Sequence, residues 1–222
     1  MSEALKGAIL QRDKETFAIV PRIPMGVLTP EILEKLAGVA RKYKVRIIKI
    51  TSGQRIALVG IKPEDIDNVW KDLEMDVGPA EGLCVHYVQA CPGNETCKFG
   101  QGNSLGLAAK IEKIYVGKQG FIPAKTKFGI SGCRLNCAES YLRDIGVFAA
   151  PDGWTVVVGG NSGGRPRIGD MIAENLSEEE VLNLVKKCLD YYSKKAGPRE
   201  RMPRFIQRIG ADEFKKAVLQ PE

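Results

Sequence analysis

Apolar positions along the chain switch between a period of two and a period of about 3.6, and that switching marks out the elements. Residues 17–23 form a short run rich in strand formers. Thr29-Pro30 then reads as a helix N-cap with proline at the first helical position, and Ile32, Leu36, Val39, Ala40 and Tyr43 recur on one helical face. Two strand-like runs, 45–51 and 55–61, are joined by Ser52-Gly53-Gln54 as a tight turn. Pro63 opens a second helix, with Glu64 and Asp65 in its positive first turn and Ile66, Val69, Trp70 and Leu73 on its apolar face. With residues 83–89 as a last strand, the order is βαββαβ, the split arrangement of ferredoxin-like folds. That arrangement serves many functions and selects none.

The rest reads as a second piece. A glycine-rich turn at 100–106 leads into a helix over 104–116, and a strand is expected at 126–130. A helix should start near Ala138, with strands near Val147 and over 155–158. Asn161-Ser-Gly-Gly-Arg-Pro-Arg167 is a loop. Ser177-Glu-Glu-Glu180 is a capping box for a helix whose one face carries Val181, Leu184, Val185, Cys188, Leu189 and Tyr192, stopped by Gly197-Pro198. The expectation is an α+β protein: a ferredoxin-like domain over 1–80 and an α/β domain over 81–222, without internal repeat.

Composition narrows the class. With 44% hydrophobic residues in 222, the chain can build a sizeable core, and no 18-residue apolar run is present to span a membrane. The first residues mix acid and base and do not read as a secretory signal. Six cysteines without such a signal point to a reducing cytoplasm and to thiol or metal chemistry. The net charge of +6 suits a basic surface or anionic ligands. No basic run is interleaved with aromatics, so nucleic-acid binding is not indicated.

Four cysteines stand in two pairs, Cys91-Pro-Gly-Asn-Glu-Thr-Cys97 and Cys133-Arg-Leu-Asn-Cys137. Four thiolates can hold zinc or a 4Fe–4S cluster. A structural zinc site uses short knuckles, and the first pair is too open for one. A cubane has four separate iron corners and accepts wider, uneven spacing. Spacing alone leaves both metals open, together with unrelated cysteines. Lys125 and Lys127 alternate by two, so a strand would present them on one face, either to solvent or to an anion. His86, the single histidine, lies in an apolar run where a hydrogen-bonded core role is the ordinary reading. Cys84 and Cys188 read as buried core thiols.

The residues flanking the cysteines carry a resemblance. Lys125-Thr-Lys-Phe-Gly-Ile-Ser-Gly-Cys133-Arg-Leu-Asn-Cys137 resembles the K-x-K-x5-C-x3-C segment of the siroheme-dependent sulfite and nitrite reductases. The stretch from Cys91 to Gly100 resembles that family's first cysteine pair. The run 156–161, ending Gly-Gly-Asn, resembles the strand that follows the cluster segment, and 201–210 resembles the closing helix.

The resemblance implies siroheme and a 4Fe–4S cluster bound by Cys91, Cys97, Cys133 and Cys137, with Cys137 bridging to the siroheme iron. It implies six-electron reduction of sulfite to sulfide, with Lys125 and Lys127 binding the anion and donating protons. Gln54, Arg134, Asn136, Asn161, Arg165 and Arg167 become candidates for siroheme carboxylates, which arginine forks suit. Gly159, Gly160, Gly163 and Gly164 would let backbone amides approach closely.

The chain departs from the family at two places. The family's Thr-Thr-Arg-Gln turn reads Thr51-Ser52-Gly53-Gln54-Arg55 here, so Arg55 is the candidate replacement for one substrate arginine. His86 is the candidate for the other. Nitrite reduction is the same-class alternative. An electron-transfer or regulatory protein that kept the cluster, and a zinc-stabilised binding module, are the other readings. No flavin or nicotinamide motif is present, so electrons would come from an external protein such as a ferredoxin. Many relatives pair two modules where this chain resembles one, so a homodimer could supply the second.

Overall fold

The computed structural model describes residues 7–79 and 82–220. The chain divides into two compact units, Met1–Ala80 and Glu81–Glu222.

The first unit holds strands β1 (Ala8–Leu10), β2 (Phe17–Ile19), β3 (Ile47–Ile50) and β4 (Ile56–Ile61), with helices α1 (Pro30–Lys42) and α2 (Ile66–Leu73). The strands form one antiparallel sheet in the order β1-β2-β4-β3. Thr29 caps α1 by accepting from the Ile32 N–H, as its position before Pro30 predicts. The helical faces read from the sequence supply the core: Leu36 and Val39 from α1, Ile66, Val69 and Leu73 from α2. They pack with Ile19, Ile56, Leu58 and Ile61 of the sheet. The edge strand β3 is exposed along its whole length.

One strand belongs elsewhere than expected. The run assigned to 83–89 is β5 (Val85–Ala90), and it lies in the second unit's sheet. All six of its residues are buried, which requires cover on both faces, the habit of strands in parallel sheets. The first unit's fourth strand is instead β1, three residues long and too short to show a period.

The second unit contains β5, β6 (Thr126–Ser131), β7 (Ile145–Ala150), β8 (Gly153–Val158) and β9 (Asp170–Leu176) in that spatial order. Pairs β5–β6 and β6–β7 are parallel, and β7–β8 and β8–β9 are antiparallel. Helix α3 (Ser104–Tyr115) makes the crossover from β5 to β6, and α4 (Glu178–Lys195), α5 (Met202–Ile209) and α6 (Ala211–Leu219) close the chain. The capping box at Ser177 and Glu180 forms with both of its hydrogen bonds. Tyr192, Phe205 and Phe214 are fully buried and, with Tyr191, form an aromatic cluster under α4–α6.

Two further corrections concern this unit. No helix starts near Ala138: a tight turn with a single 3-10 segment, Ser140–Leu142, runs from β6 to β7. Asn136 (φ 61°) and Glu139 (φ 53°) take left-handed backbone, and the Ser140 hydroxyl donates to Val147 O. Gly146 makes the turn possible, since a Cβ there would lie 2.0 Å from Ser140 O. Strand β9 and helix α6 were not expected. β9 alternates weakly and is irregular in register, and Gly210 (φ 91°) breaks the closing helix into α5 and α6. Among the described residues no helix is long and apolar enough to cross a membrane.

Candidate active site

The two cysteine pairs sit on loops that leave the carboxyl ends of adjacent parallel strands, where ligand sites gather in open α/β sheets. Cys91 follows β5, and Gly132-Cys133 follows β6. The loops are bound to each other. The Cys91 N–H donates to Ile130 O at 3.2 Å, the Gly132 N–H donates to the Cys91 sulfur at 3.0 Å, and the Gln101 N–H donates to Gly132 O at 2.7 Å. Glycine is required at the contact: a Cβ on Gly132 would lie 2.4 Å from the Gly93 Cα. The Ser104 hydroxyl, at the start of α3, donates to Cys91 O.

All four thiols are free, with Cys97 and Cys137 exposed and Cys91 and Cys133 half-buried. Their donor set fits a cluster: sulfur ligands, reachable from outside, on two loops held in contact, with a backbone N–H aimed at one sulfur. Among the described residues, no three His, Cys, Asp or Glu side chains are placed to share one metal ion. Cys84 and Cys188 are fully buried, and burial pushes the Cys188 thiol far up.

The turn after Cys137 leads to a cationic cavity. Gly169 N–H donates to Tyr141 O, and a Cβ on Gly160 would meet that same oxygen at 2.3 Å, so the loop 159–169 lies directly on the turn. This loop and α5 enclose a cavity of about 790 Å³ lined by Asn161, Arg165, Arg167, Arg201, Arg204 and Gln207. Asn161 shapes the loop. Its Nδ2 donates to Arg165 O, its Oδ1 accepts from Gly163 N–H, and its backbone pairs with Arg167. Arg167 is tied to Asp170 and to Gly159 O. Among the described residues no carboxylate lines the cavity, so its walls fit a ligand with several negative charges.

Lys125 precedes β6 and Lys127 lies within it, both half-buried between buried Ala124, Thr126 and Phe128, as alternation predicts. The Lys127 ammonium lies 5.7 Å from the Tyr87 ring centroid. Burial, and then the neighbouring Arg201 and Lys125 charges, lower its pKa from the ordinary lysine value. Asp144, fully buried at the head of β7, accepts from the Lys127 N–H at 2.9 Å and from the Arg201 guanidinium at 2.8 Å.

The expected residues therefore separate into groups. The cysteines form one group, Asn161, Arg165 and Arg167 line the cavity, and Lys127 neighbours Arg201. Arg134 and Asn136 stay with the cysteines. Exposed Arg134 lines a second cavity of about 690 Å³ with Phe99, Cys133 and Leu135, and Asn136 Oδ1 accepts from the Tyr141 N–H. His86 is buried in β5, its Nε2–H donating to Gly82 O, and lines neither cavity. Gln54 and Arg55 belong to the first unit, in the β3–β4 turn, where Gln54 is left-handed and Arg55 donates to Pro79 O. Arg143, Asp144, Arg201, Arg204 and Gln207 were missed. The sequence signal for the first two was a charged pair immediately before the apolar run of β7.

Known proteins resemble the chain along its length. Residues 81–222 match the family model of the nitrite and sulphite reductase 4Fe-4S domain, and residues 9–76 match that of the nitrite/sulfite reductase ferredoxin-like half domain. The α+β class and the ferredoxin-like first unit are thus borne out, with the strand reassignment given above. An assimilatory-type sulfite reductase of Nitratidesulfovibrio vulgaris is 55% identical over 99% of this chain and 100% of its own length. An NAD(P)H nitrite reductase of Bacillus subtilis is 38% identical over 97% of this chain, which spans 26% of that protein. Dissimilatory sulfite reductase I shares the fold, with a TM-score of 0.81 at 13% identity over 93% of this chain and 70% of its own. NirA of Mycobacterium tuberculosis does too, with a TM-score of 0.79 at 20% identity over 91% of this chain and 39% of its own. On these matches, the chain belongs to the nitrite and sulphite reductase family.

Proposed function

We propose that this chain reduces sulfite to sulfide in a six-electron reaction that uses siroheme and a 4Fe–4S cluster. The observation that carries the reading is the joining of two cysteine loops at the ends of β5 and β6 to an arginine-walled cavity, through the turn after Cys137. Cys91, Cys97, Cys133 and Cys137 would hold the cluster, and Cys137 would serve the siroheme as well. When bound, these groups supply the electron storage and the substrate-binding iron that side chains lack.

The chain's own residues bind and protonate. Arg165, Arg167, Arg201 and Arg204, with Asn161 and Gln207, offer donors to the carboxylates of the tetrapyrrole. Arg134 and Asn136 offer theirs beside the cysteines. Lys125 and Lys127 hold the anionic substrate and give protons as its oxygens leave. Burial makes the Lys127 proton easier to release than that of an exposed lysine, and partial exposure lets solvent restore it.

The sulfite reductase that matches end to end supports sulfite as substrate. Nitrite is the second reading, supported by the 38% identical nitrite reductase. An external one-electron carrier such as a ferredoxin would deliver electrons in the cytoplasm. A homodimer would supply the second module, so that Lys125 and Lys127 of one subunit serve the siroheme of the other.

The test is anaerobic purification from cells supplied with iron and siroheme, followed by a visible spectrum and viologen-driven turnover of sulfite and of nitrite. A red siroheme band with sulfide as product is expected, and kcat/KM should be higher for sulfite. Absence of that band, or cluster absorbance without turnover of either anion, overturns the reading.

A further inference from the structure

Two consecutive charged residues stand at the head of β7, and both are buried: Arg143 is 3% exposed and Asp144 is 1% exposed. They reach to different parts of the site. Arg143 ties Gln89 Oε1, Glu139 and the Ser162 hydroxyl together, and so pins the loop 161–167. Asp144 ties β6 to α5: its Oδ2 accepts from the Lys127 N–H, and both carboxylate oxygens accept from Arg201, through Nε and Nη2. Arg201 Nη1 takes no part in the pair.

The pair is lopsided in burial. The Asp144 side chain is 1% exposed, whereas that of Arg201 is 32% exposed and lines the cationic cavity. Burying a carboxylate is costly, and an ion pair that served only to join α5 to the sheet could be replaced by apolar contacts at no loss. An arginine held by one edge of its fork, while it lines a cavity with Arg165, Arg167 and Arg204, is an arginine set in place for an anion. Asp144 also stands among positive charges. Arg201, Lys125 and Arg143 all act on Lys127 in the same direction, and Asp144 is the carboxylate that opposes them. Burial raises the Asp144 carboxyl, while Arg201 and the Lys127 N–H pull it back down.

We propose that Asp144 is a positioning residue: it fixes the Arg201 guanidinium on the cavity wall so that Arg201 binds an anionic oxygen, either a tetrapyrrole carboxylate or the oxyanion substrate. The inference rests on the function proposed above. Fixing the arginine before the ligand arrives removes the entropy of ordering a long side chain from the binding step.

The test uses Asp144→Asn, which keeps shape and loses charge, with Arg201→Gln and the double variant. Siroheme retained per chain is read from the red absorption band, and sulfite KM and kcat are read separately. Loss of a partner that orients a ligand-binding group costs on the order of 10–100-fold. If the anion is the cofactor's, both single variants lose siroheme by about that factor. If it is the substrate's, siroheme stays and KM rises by about that factor while kcat holds. In either case the double variant should be no worse than Arg201→Gln, because Asp144 acts through Arg201.

Wild-type siroheme content and KM in Asp144→Asn, or losses that multiply in the double variant, overturn the proposal. Should Asp144→Asn fail to fold, as judged by its melting curve, Arg201→Gln with wild-type siroheme and KM does the same. Wild-type chain that never loads siroheme overturns the function itself. A loaded, active wild type with indifferent variants overturns the positioning role alone.

Discussion

In the first unit the fully buried side chains are aliphatic, Ile19, Leu58, Ile61, Ile66, Val69 and Leu73 among them, and its ion pairs lie on the surface, as in Lys35–Glu74 and Lys42–Asp72. In the second unit the core also takes in His86, Gln89, Glu112, Arg143, Asp144 and several hydroxyls. Every buried polar or charged side chain among the described residues belongs to that unit. Burying polar groups is unfavourable unless each is bonded, so their concentration marks where the fold fixes particular groups in place at a cost in stability. Around the cysteine loops and the cationic cavity, Ser104, Ser131, Ser140, Arg143 and Asp144 hold backbone and side chains in fixed positions. The first unit has the economy of a scaffold, and the second has that of a site.

The largest effect that would break this contrast is loss of the cluster. Cys97→Ser, at an exposed loop position with no packing to lose, should abolish iron and acid-labile sulfide and with them all sulfite turnover, while the apo melting temperature stays put. A variant that kept its full cluster would remove Cys97 from the ligand set. Next in size is Lys127→Gln, for which siroheme and cluster absorbance should persist while turnover falls by roughly 10²-fold, as for loss of an acid–base group. Unchanged turnover in this variant and in Lys125→Gln would return both lysines to the surface.

How far each unit could be read from the chain follows from the same contrast. Cysteine loops announce themselves because their chemistry is local: spacing, flanking glycines and the lysine pair all lie within a few residues. The first unit's helices were legible for a similar reason, since Thr29-Pro30 and the 3.6-residue faces are local signals. What failed was long-range. The apolar run of β5 suits either sheet equally, and its parallel pairing with β6, with burial on both faces, assigns it to the second. Asp144 and Arg201 lie 57 positions apart, and nothing near either residue names the other. Half of the cationic wall, Arg165 and Arg167, stood in a conspicuous glycine loop. The other half was hidden: Arg201 stands just ahead of α5, and Arg204 is an ordinary polar position on that amphipathic helix. The helix expected after Ala138 failed because Asn136, Glu139 and Gly146 encode a turn through backbone conformation, which hydrophobic periodicity does not register.

A third prediction separates scaffold from site by stability. Leu58 is fully buried between β2 and β3 in the first unit. Leu58→Ala should destabilise the protein by about 2–5 kcal/mol, through lost burial and the cavity left behind. Protein that remains folded should show unaltered siroheme and cluster spectra. A changed spectrum in that fraction would mean that the first unit's core shapes the site directly.

The smallest effect lies in the pH dependence. Because burial lowers the Lys127 pKa, its ammonium should lose its proton below the ordinary lysine value of 10.5. Acting as a proton donor, it should give turnover an alkaline limb that falls through an apparent pKa below that value. The same shift acts on stability with a definite sign. Between the folded pKa and the unfolded one, the unfolded chain binds the extra proton, so this residue's contribution to stability rises with pH across that window. Lys127→Gln should abolish both the alkaline limb and this local rise. Arg201→Gln should move the limb upward, since the guanidinium charge is the second cause of the lowering after burial. A limb at the ordinary lysine position, unmoved by either change, would place the titrating group elsewhere and leave Lys127 as an anion-binding charge without a proton to give.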